Sequence, residues 1–319
     1  MINDKNIGFV GLGNVGSKLA NSILISGYNL FIYDLDKKKG KNLIKKGAVF
    51  SKSLKHLTNS TTIIITCLPS PKAVSQVIES KEGIKNYVST KHLWIEMSTT
   101  DVKEMIRLAN LIKSKGASVL ESPVTGGQHR AENGNIAVLV SGFRKVFKRA
   151  LPILKEIGYE ILYCGKIGNA STLKIATNYL ASINLLSLGE ALMVLRKYGI
   201  DLQTAFHAIR ISSGNSFVHE TETQVILSGS YDVGFTMDLV CKDINLFDQL
   251  TKKYNISAEL SNLMIKIFEK GKKKLGNRAF STSIVKILEN DCNENLRSSN
   301  FPKKLKDFEP RKKGFEVKF

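Results

Sequence analysis

Cysteine is scarce in this sequence, and its spacing has no pattern. The 319 residues include four cysteines, Cys67, Cys164, Cys241 and Cys292. No two of them form a C-x-x-C pair and no paired histidines lie nearby, which argues against a metal site and against a disulfide framework. We therefore predict a protein without a metal centre that functions in a reducing compartment.

Acidic residues are also in short supply. The chain has 28 Asp and Glu against 47 Lys and Arg, a formal net charge of +19. Such a balance fits nucleic acid, an anionic membrane surface, a positive cleft for anionic substrates, or a lysine-rich proteome. No recognition-helix, zinc-finger or stacking-platform pattern accompanies the charge, so a nucleic-acid partner is not expected.

A leader pattern and an uninterrupted apolar run are both missing. Residues 1–6 lead almost directly into an apolar strand pattern, which leaves no room for a signal or transit peptide and favours a cytoplasmic location. The most apolar long segment, 173–195, is predicted to be a buried helix and not a membrane span. The polar groups that argue against a span are Lys174, Asn178, Asn184 and Glu190.

Residues 7–16 join an apolar strand pattern to glycines spaced as G-x-G-x-x-G, and helical spacing of apolar residues follows over 17–25. In such a turn the first glycine permits the reversal, the second lets a pyrophosphate approach the backbone, and the third lets helix and strand pack closely. This pattern predicts a dinucleotide site formed by Gly11, Leu12, Gly13, Asn14, Val15 and Gly16.

Asp34 ends the second predicted strand, at the distance from the glycines that the dinucleotide fingerprint requires. A carboxylate there can accept hydrogen bonds from ribose hydroxyls and would repel the 2′-phosphate of NADP, so NAD is favoured. In the alternative interpretation Asp34 only opens a turn, and the lysines at 37–39 could receive a phosphate.

Two further predicted strands, 61–67 and 93–97, end in polar or proline-containing loops. Ligands of open α/β sheets bind beyond the carboxyl ends of the strands, so Leu68, Pro69 and Thr99 are candidates for contact with the dinucleotide. The alternative for Pro69 is a plain strand terminator. Ser98 to Asp101 supplies the N-cap of a helix over 102–115.

A second glycine-containing loop, Thr125-Gly126-Gly127, follows a short strand at 119–121. Adjacent glycines after a small hydroxyl residue can expose successive backbone N–H groups, which suit a carboxylate or a phosphate. An ordinary turn is the alternative. Strands over 136–142 and 159–164 follow, and the second of these is expected to close the sheet.

Helical character dominates after residue 168. Lys174 and Asn178 lie four residues apart on an otherwise apolar helix at 170–198 and so share one face. A lysine there either extends to solvent or has a function. The Lys242-Asp243 pair lies near the start of a later helix, and a surface ion pair is its alternative interpretation.

The predicted fold class is α/β: a Rossmann doubly wound sheet followed by an all-α domain, linked by a long buried helix. The predicted domains are a NAD-binding domain at 1–165, a substrate and oligomerisation domain at 166–291, and a basic, flexible tail at 292–319.

Taken together, the glycine motif, the Thr125-Gly126-Gly127 loop, Lys174 with Asn178, the Ser212-Ser213-Gly214 turn and Lys242-Asp243 resemble the β-hydroxyacid dehydrogenases. This family includes 3-hydroxyisobutyrate dehydrogenase and tartronate semialdehyde reductase and shares the 6-phosphogluconate dehydrogenase type of fold. The likeness covers about residues 7–288. It implies an NAD-dependent enzyme that interconverts a small β-hydroxyacid and its semialdehyde or keto form, and that assembles as a homodimer or homotetramer.

The resemblance also implies residue roles. Lys174 would be the catalytic residue, Thr125, Gly126 and Gly127 would bind the substrate carboxylate, and Asn178 would orient the substrate or the lysine. Leu68, Pro69 and Thr99 would contact the dinucleotide, and Lys242 would lie on its nicotinamide side. A base near neutral pH must be partly deprotonated, which apolar surroundings and a second cation such as Lys242 would promote.

The sequence departs from the family at a few positions. Val15 replaces a methionine, Thr125 replaces a serine, which puts the substrate in question, and the basic tail has no counterpart. The alternatives are a reductase of another substrate on the same fold, such as tartronate or succinic semialdehyde, a sugar acid or an imine, and a non-catalytic dinucleotide-binding protein. Lys174 argues against an imine reductase, and the isolation of Arg196 and Arg210 argues against a phosphorylated substrate.

Overall fold

The computed structural model describes residues 5–319 as two compact units. One contains the chain up to Lys174 together with Asp307–Phe319, and the other contains Ile175–Lys306. The division falls inside a helix, whereas the sequence placed it between residues 165 and 166. Of the predicted tail at 292–319, residues 292–306 belong to the second unit and residues 307–319 to the first.

The first unit is built on a ten-stranded sheet. Its strands are β1 (Asn6–Val10), β2 (Asn29–Tyr33), β3 (Val49–Phe50), β4 (Ile63–Thr66), β5 (Leu93–Glu96), β6 (Ser118–Glu121), β7 (Val124–Thr125), β8 (Ile136–Gly142), β9 (Gly158–Tyr163) and β10 (Phe315–Val317). The order is β3-β2-β1-β4-β5-β6-β8-β9-β10, and β7 pairs with β8. The order of the first six strands is that of a Rossmann sheet.

The six N-terminal strands of this sheet are parallel, and β8 is antiparallel to β6. Ile63 to Thr66 of β4 are fully buried between β1 and β5, as expected for a β-branched central strand that is covered on both faces. The crossover helices are α1 (Gly16–Ile25), α2 (Lys41–Lys45), α3 (Leu54–Ser60), α4 (Pro71–Glu79), α5 (Val102–Ser114) and α7 (Arg144–Ile157). A further helix, α6 (Gly127–Asn133), connects the antiparallel strands β7 and β8.

Helices make up the second unit, which has one isolated β-bridge between Thr236 and Phe280. They are the greater part of α8 (Asn169–Tyr198), then α9 (Leu202–Arg210), α10 (Phe217–Leu227), α11 (Met237–Lys253), α12 (Glu259–Leu275) and α13 (Val285–Cys292). Leu192, Phe206 and Phe268 lie in its core. The predicted α/β fold followed by an all-α domain is confirmed.

Helix α8 is less buried than the sequence predicted. A third of its most apolar stretch is buried, and Leu173 and Leu180 are 43% and 55% exposed. The core of the second unit includes Leu185, Leu188, Leu192 and Met193 of this helix, and further apolar side chains of the helix are only partly buried against it. By length and composition alone, α8 is the one helix among residues 5–319 that could cross a membrane.

The C-terminal segment, which was expected to be a flexible tail, contains a strand of the sheet. β10 pairs in parallel with β9, with Phe315 opposite Glu160, so β9 does not close the sheet. Arg144 donates a hydrogen bond to the Glu316 carboxylate, which ties the segment to α7. Backbone pairing and this ion pair order a stretch whose composition alone suggested a mobile extension.

Candidate active site

The glycine motif forms a tight turn between β1 and α1. Gly11 has a φ of +98°, and a Cβ added there would lie 2.3 Å from the carbonyl oxygen of Cys67. A Cβ at Gly16 would lie 2.2 Å from the carbonyl oxygen of Gly11, so a side chain is excluded at both positions. A Cβ at Gly13 would meet no atom within 4 Å. This open position is the one through which a pyrophosphate would approach the backbone, so the turn fits a dinucleotide.

Asp34 lies against the same turn. Its Oδ2 accepts a hydrogen bond from the backbone nitrogen of Leu12 at 2.7 Å, and its Oδ1 accepts one from the nitrogen of Asp36 at 2.9 Å. The ammonium of Lys39 lies 3.4 Å from Oδ1. The carboxylate thus holds the glycine turn and opens the turn after β2, with one of the predicted phosphate-binding lysines beside it.

The loops after β4 and β5 meet the glycine turn at the carboxyl edge of the sheet. Leu68 donates its backbone N–H to Ser98 Oγ at 2.7 Å, and its side chain lies 2.9 Å from the position of a Cβ on Gly11. Pro69 and Thr99 continue these two loops. The topology therefore brings the predicted cofactor contacts of the first unit to one edge.

Glu96 is a buried carboxylate under this edge, and it was not among the predicted site residues. Its Oε1 accepts a hydrogen bond from the Ser98 backbone nitrogen at 2.6 Å, and its Oε2 accepts one from the Thr66 hydroxyl. Burial raises the pKa of Glu96 to about 7, although the hydrogen bonds from Ser98 and Thr66 act in the opposite direction. The residue fixes the start of the loop that carries Thr99.

The second glycine loop connects β7 to α6. Thr125 pairs with Ala137 in the antiparallel β7–β8 ladder. Gly126 and Gly127 follow with φ values of +121° and +82°, a region that strongly favours glycine. The loop therefore has the backbone conformation that the adjacent glycines suggested, and the carboxylate-binding role of Thr125, Gly126 and Gly127 stays a prediction.

Lys174 is 7% exposed and lies in the second turn of α8. Glu121, at the end of β6, fixes the start of that helix. Its Oε1 accepts hydrogen bonds from the backbone nitrogens of Gly168 at 2.6 Å and Ala170 at 3.0 Å. Burial raises the pKa of Glu121, and the hydrogen bonds that it accepts from Ser171 and the backbone oppose this effect. The sequence offered no signal for this role beyond an acidic residue at the end of a strand.

In the second unit, Asp243 joins two residues that the sequence selected separately. Its Oδ2 accepts a hydrogen bond from Asn178 Nδ2 at 2.6 Å, and its Oδ1 lies 2.6 Å from Lys242 Nζ. The Asp243 side chain is 2% exposed, so Lys242-Asp243 is not the surface ion pair of the alternative interpretation. The roles of Asn178 and Lys242 stay predictions.

Two family models match the chain. The NAD binding domain of 6-phosphogluconate dehydrogenase matches residues 6–165, and the NAD-binding domain of NADP-dependent 3-hydroxyisobutyrate dehydrogenase matches residues 168–288. The chain belongs to the β-hydroxyacid dehydrogenase family. The resemblance drawn from the sequence is confirmed, and with it an oxidoreductase that binds NAD(P).

The chain is also similar to individual dehydrogenases. The chain is 29% identical to 2-(hydroxymethyl)glutarate dehydrogenase of Eubacterium barkeri over 284 residues, which cover 89% of this chain and 94% of the relative. It is 30% identical to mitochondrial 3-hydroxyisobutyrate dehydrogenase of Rattus norvegicus over 247 residues, 75% and 74% of the two chains. The structure of Psf3 with NADP+ and 2-OPP superposes with a TM-score of 0.85 at 24% identity, covers 88% of this chain and 99% of its own, and supports the fold.

Proposed function

We propose that this dehydrogenase interconverts a small β-hydroxyacid, similar to 3-hydroxyisobutyrate, and its semialdehyde or keto form, with Lys174 as general acid and base. The observation that carries the proposal is the placement of Lys174. It is a buried lysine one turn after the helix start that Glu121 fixes, in the unit that holds the glycine turn.

The reaction requires a group that exchanges a proton with the substrate oxygen and a cofactor that exchanges a hydride with the substrate carbon. The bound nicotinamide supplies the hydride acceptor or donor. Lys174 Nζ takes the hydroxyl proton during oxidation and returns it to the carbonyl oxygen during reduction.

The substrate carboxylate is assigned to the backbone of Thr125, Gly126 and Gly127. Backbone N–H groups in a turn of positive φ can bind a carboxylate without a dedicated cation. The names of two relatives, a 3-hydroxyisobutyrate and a 2-(hydroxymethyl)glutarate dehydrogenase, support a small carboxylate. The ion pair between Arg196 and Glu294, at 3.3 Å, speaks against Arg196 as part of a phosphate-binding cluster.

NAD is proposed as the preferred cofactor because Asp34 places a carboxylate beside the glycine turn, where it would meet the ribose hydroxyls. Lys39, 3.4 Å from that carboxylate, is the feature that favours NADP. We also propose that the enzyme is cytoplasmic and assembles as a homodimer or homotetramer. The exposed apolar side chains of α8, among them Leu173 and Leu180, support assembly.

A substrate panel tests this proposal. The purified enzyme is assayed with 3-hydroxyisobutyrate, glycerate, 4-hydroxybutyrate and serine, each with NAD and with NADP, by the absorbance of the reduced cofactor. We expect turnover with at least one hydroxyacid and a higher kcat/KM with NAD. Binding of NAD(P) without turnover of any of these acids would contradict the proposed function.

A further inference from the structure

The C-terminal segment Asp307–Lys312, which we call the strap, lies against the end of α6. Its main contact is the side chain of Asn135, which is 5% exposed. Asn135 Nδ2 lies 2.8 Å from Asp307 Oδ2, and 3.1 and 3.2 Å from the carbonyl oxygens of Glu309 and Pro310. Asn135 Oδ1 accepts a hydrogen bond from the backbone nitrogen of Lys312 at 3.2 Å. One buried amide thus binds a segment more than 170 residues away.

Neighbouring residues extend this contact. Asn133 Nδ2 donates to the carbonyl oxygen of Asp307 at 2.8 Å. The side chain of Arg311 covers Gly134, where an added Cβ would lie 3.3 Å from Arg311 Nε. Arg130 and Glu309 form an ion pair at 4.0 Å. The whole carboxyl end of α6 is therefore in contact with the strap.

The opposite end of α6 is the second glycine loop. A Cβ on Gly126 would lie 3.2 Å from Arg130 Cδ, and a Cβ on Gly127 would lie 3.0 Å from His129 Cε1. The side chains of α6 therefore pack directly on the two glycines. A displacement of α6 moves the backbone N–H groups of the loop with it.

Helix α6 depends on such external contacts, because a seven-residue helix is marginal by itself. Glu132 of α6 forms an ion pair with Lys18 of α1 at 2.9 Å. The Glu132 side chain is 67% exposed, so this ion pair contributes little to stability. The hydrogen bonds that the buried Asn135 makes to the strap are partly shielded from water and are therefore worth more than this exposed ion pair.

The strap is held independently on its other side. β10 follows it and pairs with β9, and Arg311 Nη2 donates to the carbonyl oxygen of Glu156 at 2.9 Å. A Cβ on Gly314 would lie 2.3 Å from the carbonyl oxygen of Gly158, so the chain passes close to the sheet edge here. The strap therefore connects a fixed edge of the sheet to α6.

We infer that the strap positions the substrate loop, and that Asn135 is the positioning residue through which it does so. This inference rests on the proposed role of Thr125, Gly126 and Gly127 in binding the substrate carboxylate. Because the family models end at residue 288, the strap is a feature outside the matched residues. The geometry of the substrate site is then partly set by a segment that those models do not include.

The test compares Asn135→Ala with Glu316→Ala in the full-length enzyme. The first removes the contact to the strap, and the second removes a tail contact, the ion pair with Arg144, away from the loop. We expect Asn135→Ala to speed hydrogen exchange of residues 124–135 at least tenfold. The KM for the hydroxyacid should rise five- to twentyfold, with kcat within about twofold and an unchanged Kd for NAD(P). Glu316→Ala should leave loop exchange and KM close to those of the wild type.

A reciprocal exchange gives a second measurement should Asn135→Ala fold poorly. Asn135→Asp places a carboxylate against Asp307 and should raise KM. Adding Asp307→Asn restores a carboxylate–amide pair and should lower KM part of the way back to the wild-type value. Unchanged loop exchange and KM in both Asn135 variants, or equal effects of Glu316→Ala, would overturn the inference. If the wild type turns over no hydroxyacid, the proposed function fails, and the exchange rates still decide whether the strap positions the loop.

Discussion

The carboxylate of Glu121 accepts a hydrogen bond from the Ser171 hydroxyl at 2.6 Å, three residues before Lys174 on the same helix. Together with the bonds from Gly168 and Ala170, this contact fixes the first turn of α8. The position of the proposed base therefore depends on a residue of β6. A displacement of about 1 Å at a catalytic group can cost roughly a hundredfold in rate.

Replacement of Glu121 tests this dependence. Glu121→Ala leaves the buried N–H group of Gly168 without its carboxylate acceptor, at roughly 1–3 kcal/mol. The N–H group of Ala170 loses Glu121 but keeps the Ser141 hydroxyl as an acceptor at 2.9 Å. We expect kcat to fall about 10- to 100-fold while the Kd of NAD(P), measured by fluorescence titration, stays within about twofold. Glu121→Gln is the matched control, since its amide oxygen can still accept and most of kcat should remain. A folded Glu121→Ala enzyme with normal kcat would show that the cap does not position Lys174.

Removal of the proposed base has a distinct signature. Lys174→Ala should lower kcat by about 10²- to 10⁴-fold, the usual contribution of a general acid or base, without weakening NAD(P) binding. Lys166→Ala is the control, because Lys166 is an exposed lysine a few residues earlier. Stopped-flow or steady-state absorbance at the reduced-cofactor band measures the difference. Near-normal turnover of Lys174→Ala would refute the assigned role.

The charge of Asp34 can be separated from its hydrogen bond. Asp34→Asn keeps an acceptor for the Leu12 nitrogen and removes the negative charge that would repel a 2′-phosphate. We expect the ratio of kcat/KM for NAD to that for NADP to fall roughly tenfold, or about 1.4 kcal/mol. Lys39→Ala should change the ratio in the opposite direction. A wild-type preference for NADP would contradict the proposal.

Glu96 should make stability depend on pH. Because burial raises its pKa from 4.5 to about 7, the folded state retains a proton that the unfolded state loses. The contribution of Glu96 is therefore fully present below pH 4.5 and is lost as the pH rises towards about 7, by roughly 3 kcal/mol. Glu96→Gln should flatten the decrease in melting temperature between pH 5 and pH 8. If the melting temperature of this variant still decreases with pH as steeply as that of the wild type, Glu96 is not the cause of the decrease.

If the subunits assemble through α8, a charged residue on its exposed face should lower the molecular mass of the enzyme in solution. Leu180 is 55% exposed on this helix, and Leu180→Glu should shift the enzyme towards monomer in light scattering after gel filtration. Ile256→Glu, at a 59% exposed position outside α8, is the control and should not change the mass. A wild-type monomer, or equal behaviour of both variants, would contradict assembly through this face.

The sequence predicted the elements whose pattern is local. The secondary structure of β4, α1 and α8 was predicted correctly, because a β-branched run or a helical spacing of apolar residues is formed by residues that are close in sequence. β10 was missed since Phe315, Glu316 and Val317 are three residues in a basic stretch, and their partner, β9, lies about 150 positions earlier. Helix α6 has no apolar periodicity, so its formation could not be predicted either.

The same distinction applies to the site. The glycine turn and Asp34 were predictable because their spacing in sequence defines them, and the structure places Asp34 on the Leu12 nitrogen. The role of Glu121 and the contact of Asp243 with Asn178 were not predictable, because a single carboxylate acquires its role from the groups that the fold brings to it. Asp243 joins Asn178 to Lys242 across 65 residues of sequence.

The pairing of β10 with β9 has a consequence for solubility. Without β10, the outer edge of the sheet would present the unpaired N–H and C=O groups of β9, a template on which a strand of another molecule could form. β10 covers this edge with three residues that carry Glu316 and are followed by Lys318, a short and charged border. A chain that ends before residue 315 would therefore be prone to strand-mediated aggregation that worsens with concentration, even if its catalytic groups remain in place.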